Sequence, residues 1–177
     1  MRSKYRIADN AVYFITSTVV EWMPVFTSKP YFDILVSSIQ YCQEHKNLSV
    51  YAYVILDNHF HMLCETDQPA KVLQSLKRHT AKKVLELLEN DRKKWLLNAL
   101  IYYKKAHKRQ SSHQLWQEGF HPQQISTEEM FRQKAEYIHY NPVKRGYVSH
   151  PECWVYSSAR DFYTNESGYI KLAQISE

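Results

Sequence analysis

The sequence has few of the features that would place the chain in a membrane or an oxidising compartment. No apolar run approaches the roughly 18 residues of a membrane span, and residues 1–6 lead into no signal-peptide core. The three cysteines, Cys42, Cys64 and Cys153, are far apart and in no metal-ligand spacing, so they predict neither a disulfide framework nor a zinc knuckle. We therefore expect a cytoplasmic protein that makes no membrane contact.

Internal repeats, low-complexity tracts and clear linkers are also lacking. A chain of 177 residues can bury one sizeable hydrophobic core but is short for two independent domains. We therefore predict one domain over residues 1–177, with a helical insertion at about 91–110 and a C-terminal extension at about 149–177.

Positive charge is in modest excess, with a formal net charge of +5 and a pI near 9.0. Such an excess suits a partner made of phosphates. It also occurs on proteins that merely stay soluble, so the charge alone does not identify a nucleic-acid partner.

Runs of β-branched and aromatic residues predict three strands, at residues 12–20, 48–56 and 60–65. The last two join around Asp57-Asn58, a turn-favouring pair, and so predict a β-hairpin. Leu115-Trp116-Gln117 is a candidate fourth strand.

Apolar residues at helical spacing predict four helices. The first starts near Pro30, the second and third span about 71–89 and 95–107, and the fourth runs from a cap at Thr127 to Pro142. The resulting βαββα order followed by a strand is the ferredoxin-like pattern. We therefore predict an α+β fold, an antiparallel sheet with helices packed on one face.

Two histidines lie two residues apart on the predicted third strand. Because side chains alternate between the faces of a strand, His59 and His61 point the same way, at a spacing that can chelate one metal ion. With nine histidines in 177 residues, roughly half of one such pair is expected by chance. The pair alone therefore leaves a purely structural role open.

Tyr137 and Asn141 are four residues apart on the last predicted helix, so they share one side of it. Such a pair could present a phenol and an amide oxygen to one site. Tyr140 is one residue from Asn141 and diverges from it by about 100°. The chain has fourteen tyrosines, and the residue type alone makes none of them a nucleophile.

Several segments resemble one family in that family's order. His59-Phe60-His61, within residues 53–63, resembles the HUH motif of the REP-associated tyrosine transposases, a branch of the single-tyrosine HUH transposases. The other similar segments are residues 20–26, 115–117, 137–148 and 154–159. Together they cover most of the chain from Tyr13 to Tyr163. The chain departs from the family at residues 119–124, where the family tends to carry a Phe-Tyr-Asp-His type segment.

The resemblance implies a metal-dependent tyrosine transposase that nicks and joins DNA through a 5′-phosphotyrosine intermediate. Tyr137 would be the nucleophile, His59 and His61 would bind a divalent metal, and Asn141 would complete the site where related transposases often carry Gln. Imidazole, amide oxygen and water suit Mg²⁺ or Mn²⁺ at an open site better than a closed structural zinc site.

The implied substrate is single-stranded DNA with hairpins, such as REP-like palindromes. Basic side chains would contact its backbone and aromatic rings would stack on its unpaired bases. Each basic candidate is equally compatible with a solvated helix face, and both a monomer and a homodimer stay open. The candidates are Lys77, Arg78, Lys82 and Lys83 on the second long helix, with Lys144 and Arg145 after Asn141.

Two other functions also fit parts of the sequence. A non-catalytic nucleic-acid-binding module of RRM-like fold would share the ferredoxin-like pattern, although the aromatic RNP pattern of such domains is not found. A metal-dependent hydrolase with water as nucleophile would use His59 and His61 but would not need Tyr137.

Overall fold

A four-stranded antiparallel sheet forms the centre of the protein in a computed structural model, which describes residues 11–107, 111–119, 122–164 and 166–174. The strands follow one another across the sheet in the order β2-β3-β1-β4, so β3 and β1 are central. The predicted α+β class and the β2–β3 hairpin are confirmed. The strands are β1 (Tyr13–Thr18), β2 (Ser49–Ile55), β3 (His59–Glu65) and β4 (Gln123–Gln124).

Both faces of the sheet are covered by helices. The two helices of the βαββα pattern, α1 and α2, pack on one face against Phe60 and Met62 of β3. The third long helix, α4, packs on the other face, where its Ala135 and Ile138 contact Leu63. The prediction that the helices pack on one face of the sheet therefore holds for α1 and α2 but not for α4. The helices are α1 (Lys29–His45), α2 (Pro69–Asn90), α3 (Lys94–Tyr102), α4 (Glu128–Lys144) and α5 (Ala159–Tyr163).

Helix α4 begins as predicted and ends later than predicted. The Thr127 hydroxyl accepts a hydrogen bond from the backbone N–H of Met130, so Thr127 is the N-cap. Pro142 lies inside the last turn, where its missing N–H removes one hydrogen bond without stopping the helix. The helix stops at Gly146, whose φ of 74° is left-handed. The N–H groups of Gly146 and Tyr147 bond back to Val143 and Pro142, as in a Schellman motif.

The fourth strand is not where the sequence placed it. Leu115, Trp116 and Gln117 make only an isolated bridge beside the end of β1, with Trp116 opposite Val19. The strand itself is the two-residue β4, which pairs with Tyr13 and Phe14 at the other end of β1. Because pairing with β1 is interrupted between these two segments, neither forms a long strand.

The C-terminal part of the chain covers the opposite edge of the sheet. The N–H of Ile55 donates to Tyr156, the N–H of Ser158 donates to Tyr53, and the N–H of Ala173 donates to Val50. These bonds occupy the outer side of β2. In the described ranges, no helix is long and apolar enough to cross a membrane.

Replacing Thr127 with Ala should lower the free energy of unfolding by about 1 kcal/mol, because the Met130 N–H loses its partner at the start of α4. Urea titration at neutral pH measures this loss. Ser126→Ala is the matched control, since the Ser126 hydroxyl bonds only to the Met130 sulfur. Equal losses in both variants would contradict the assignment of Thr127 as the cap.

Candidate active site

The histidine pair lies on the central strand β3, on the face that α4 covers. The antiparallel register with β1 places Thr18 opposite His59 and Thr16 opposite His61. Both histidines are buried, with 2% and 6% of their surface exposed, and their ring centroids are 4.8 Å apart. The strand therefore brings the two imidazoles together on one face, as the alternation of side chains predicted.

Hydrogen bonds hold one nitrogen of each ring. The Asn58 amide donates through Nδ2 to the Trp22 carbonyl at 2.9 Å, which leaves its Oδ1 to accept from His59 Nδ1 at 2.6 Å. The Nε2 of neutral His59 therefore carries the free lone pair. His61 Nδ1 is 2.7 Å from the Thr16 hydroxyl. In the tautomer where Nδ1–H donates to Thr16, the lone pair of His61 is also on Nε2.

Burial keeps both imidazoles neutral at physiological pH. It lowers the pKa of His59 to about 4, and the nearby Arg145 cation acts in the same direction. Burial lowers the pKa of His61 to about 3, with further lowering by His59, Arg145 and Lys134. A neutral imidazole is the form that binds a metal.

The donor atoms fit an open divalent-metal site. The Nε2 of His61 is buried and has no hydrogen-bond partner among the described residues. Hydrogen bonds on the outer ring nitrogens are typical of histidines that bind metals. Over the described ranges, no group of three or more His, Cys, Asp or Glu side chains could hold a metal. Among the described residues, a third ligand would therefore be a group of another type, such as an amide oxygen.

One side of α4 faces the histidine pair. The ring centroid of Tyr137 is 5.2 Å from that of His61, and the positive charge of Arg145 acts on both histidines. Asn141 is four residues from each, so it lies on the same side of the helix between them. Asn141 is buried, whereas 40% of Tyr137 is exposed. The structure thus brings Tyr137 and Arg145 to the pair, and helical spacing places Asn141 between them.

Two lysines flank the Tyr137 ring. Lys144 Nζ is 5.6 Å from its centroid and Lys134 Nζ is 6.0 Å from it. Lys134 also lies 4.6 Å from the ring centroid of Phe14, which stacks on His61. The phenol therefore lies among cations, an arrangement that suits an approaching phosphodiester.

Other predicted residues lie elsewhere. Tyr140 contributes to raising the pKa of Tyr163 in α5, so its side chain lies toward α5, whereas Tyr137 contacts His61. Lys77, Arg78, Lys82 and Lys83 are on α2, which packs on the opposite face of the sheet. Lys82 and Lys83 lie 3.9 and 2.9 Å from Glu86. The structure therefore separates the α2 cations from Lys144 and Arg145.

Sequence reasoning missed Thr16, Asn58, Trp22 and Lys134. Lys134 could have been found, because it lies one helical turn before Tyr137. Asn58 adjoins His59, but the sequence pattern there predicts only a turn. Thr16 reaches His61 through the pairing of β1 with β3, and Trp22 is held near His59 by the Asn58 side chain; the sequence carries no local signal for either contact.

The fold is similar to that of a solved REP-associated tyrosine transposase bound to a REP hairpin. The TM-score is 0.66 at 18% identity, and the match covers 99% of this chain and 94% of that one. A proposed transposase from Deinococcus radiodurans R1 has a TM-score of 0.45 at 17% identity, covering 78% of this chain and 95% of that one, too low for an argument. No family model and no curated protein sequence matches the chain. The first comparison shows a shared fold.

Acidification should destabilise the metal-free protein. The pKa of His59, His61 and His139 is lowered to about 4, 3 and 4, mainly by burial, so the unfolded chain binds protons that the folded chain does not. Their stabilising effect is complete above about pH 6.5 and is lost as the pH falls toward 4. We expect a loss on the order of 2 kcal/mol per histidine between pH 7 and pH 5.

Urea titrations in the presence of a chelator at several pH values in this range measure the loss. An unfolding free energy that is constant between pH 7 and pH 5 would mean that the buried imidazoles are not neutral in the folded protein.

Proposed function

We propose that the protein cleaves and rejoins single-stranded, hairpin-bearing DNA through a phosphotyrosine on Tyr137. One observation carries the proposal. A half-exposed phenol, two neutral imidazoles and several cations converge from α4 and β3 on one face of the sheet. A purely structural histidine pair would have no need of an exposed tyrosine with two lysines beside it.

The proposed step exchanges one phosphodiester bond for another. The phenol of Tyr137 gives up its proton, and its oxygen forms a bond to the scissile phosphorus. The bond from phosphorus to the 3′-oxygen breaks, and that oxygen takes up a proton as a free 3′-hydroxyl. A later 3′-hydroxyl can attack the phosphotyrosine and release Tyr137, so joining needs no nucleotide cofactor.

The surrounding side chains favour this step by their charge and position. Lys134 and Lys144 place ammonium groups near the Tyr137 ring, where they attract the phosphate and stabilise the negative charge that develops on it. The Phe14 ring stacks on His61 and meets Tyr137 edge-on at 5.9 Å, which restricts the position of the phenol. The His61 ring, whose Nε2 has no hydrogen-bond partner among the described residues, lies 5.2 Å from the Tyr137 ring between centroids.

His59, His61 and Asn141 would hold a divalent metal, Mg²⁺ or Mn²⁺. When bound, such an ion neutralises phosphate charge and polarises the bond that breaks. In the described part of the chain, the charged groups that act on the histidine pair are the cations Arg145 and Lys134. Because these repel a metal ion, we expect Mn²⁺ to bind more tightly when a DNA phosphate is also present.

Support for a DNA hairpin as substrate comes from the fold shared with a transposase that was solved on a REP hairpin. The single strand would pass over α4 at Lys144 and Arg145. The separate basic face of α2, with Lys77, Arg78, Lys82 and Lys83, would contact another part of the same DNA, because it lies across the sheet from the phenol.

Tyr137→Phe should abolish cleavage and the covalent adduct while hairpin binding persists, because only the attacking oxygen is removed. The assay incubates the protein with single-stranded hairpins from the DNA flanking its gene, in Mn²⁺, and detects a protein band whose shift resists denaturation. Tyr140→Phe is the matched control, since Tyr140 lies on the same helix beside α5.

The outcomes separate the competing functions. A peptide adduct that maps to Tyr140 would refute the assignment of Tyr137. Cleavage without any adduct would indicate a hydrolase that uses water, and hairpin binding without cleavage would indicate a binding module.

His61→Ala should weaken Mn²⁺ binding by about tenfold or more, because it removes a buried nitrogen that has no hydrogen-bond partner among the described residues. The free-ion signal in electron paramagnetic resonance, with and without DNA, measures binding. His139→Gln is the matched control: His139 is equally buried but bonds to Ser158 on the other side of α4. Equal Mn²⁺ affinity in both variants would exclude His61 as a ligand.

A further inference from the structure

Trp22 is an exposed aromatic ring at the border of the histidine pair. Its ring centroid is 5.5 Å from that of His59, in edge contact, and 52% of the residue is exposed. The guanidinium carbon of Arg145 is 5.8 Å from the indole centroid. A large apolar ring thus remains in contact with water beside the nitrogens that the proposed function assigns to a metal.

The backbone that carries this ring has an unfavourable conformation. Glu21 and Trp22 have φ values of 52° and 55°, in the left-handed region that residues with a side chain rarely adopt. Such residues persist only where surrounding contacts enforce them, and they cluster at functional sites. Here the Trp22 carbonyl accepts from Asn58 Nδ2, and the Trp22 N–H donates to Val19.

The turn at Asp57 and Asn58, which orients His59, also holds the backbone around Trp22. Asn58 bonds to both the Trp22 carbonyl and His59 Nδ1. The neighbouring Asp57 carbonyl accepts from the N–H groups of Val25 and Phe26, and the Asn58 carbonyl accepts from Val19. The indole and the imidazole are therefore positioned as one unit.

We propose that Trp22 is a stacking platform for one unpaired base of the DNA strand, next to the phosphate at the histidine pair. The inference rests on the proposed function and adds how the strand is placed. Stacking on an aromatic ring is the usual way to hold an unpaired base, and it tolerates any base. The Arg145 guanidinium, a planar donor, can contact the adjoining phosphate while it lies over the indole.

The distance between the Trp22 and His59 rings limits which base could stack on Trp22. Successive phosphates of one strand are about 3.4 Å apart along a duplex axis and further apart in an extended strand. Because the Trp22 ring centroid is only 5.5 Å from that of His59, we expect the stacked base to lie within one or two nucleotides of a phosphate at the histidine pair. The exposed Trp95 offers a contrast: it is 60% exposed on α3, which packs against α2 across the sheet.

A scan with abasic nucleotides tests the platform. A DNA hairpin with single-stranded tails fixes the register, and a single abasic position is moved along the tail. With the unmodified protein, an abasic site at one position should weaken binding about 5- to 150-fold, the value of one stacked base. In Trp22→Ala, binding to the intact DNA should be weaker by a similar factor, and the effect of that abasic position should disappear. In Trp95→Ala, the same abasic position should weaken binding as much as it does in the unmodified protein.

Fluorescence provides a second measurement that does not depend on the folding of the Ala variant. Bound oligothymidylate should quench part of the tryptophan emission, and Trp22→Phe should remove that part while retaining most of the affinity. An abasic profile unchanged in Trp22→Ala, with DNA still bound, would overturn the platform and leave the proposed function intact. Absence of any binding to single strands by the unmodified protein would overturn both.

Discussion

The rest of the site depends on two neutral imidazoles kept out of water between a central strand and a helix. Burial disfavours their charged forms, so each ring must satisfy its nitrogens from nearby groups. Asn58 and Thr16 each bond to one nitrogen. These bonds fix the orientation of both rings, and the Nε2 of His61 is left without a partner among the described residues. An exposed pair would lack this orientation and would be protonated more readily.

Helix α4 supplies the groups that act on this pair, and its C-terminal end determines where they lie. Because Pro142 is accommodated in the last turn, the helix continues far enough to place Lys144 beside Tyr137 and Arg145 beside the histidines. The Schellman motif at Gly146 then turns the chain away sharply. A helix that ended before Pro142 would leave both cations on a loop.

The parts of the structure that local periodicity controls could be predicted from the sequence, which includes the hairpin, the long helices and the common face of His59 and His61. The prediction failed where one residue decides the outcome, as at Pro142, or where pairing is interrupted, as at Leu115-Trp116-Gln117. The Thr16 hydroxyl lies 45 residues from His61 in the chain, and only the register of β1 with β3 brings them together. The roles of Tyr137, His59, His61 and Asn141 came from family resemblance, and the structure adds their proximity, not their chemistry.

The covering of the sheet edges constrains how two copies could associate. On one side, the backbone groups of β2 are occupied by residues 156–158 and 173 of the same chain. On the other, β4 is only two exposed glutamines long. A short, interrupted edge is a poor template for strand addition, and an occupied one offers no free hydrogen-bonding groups. Association by a continuous sheet across two molecules is therefore disfavoured at both of these edges.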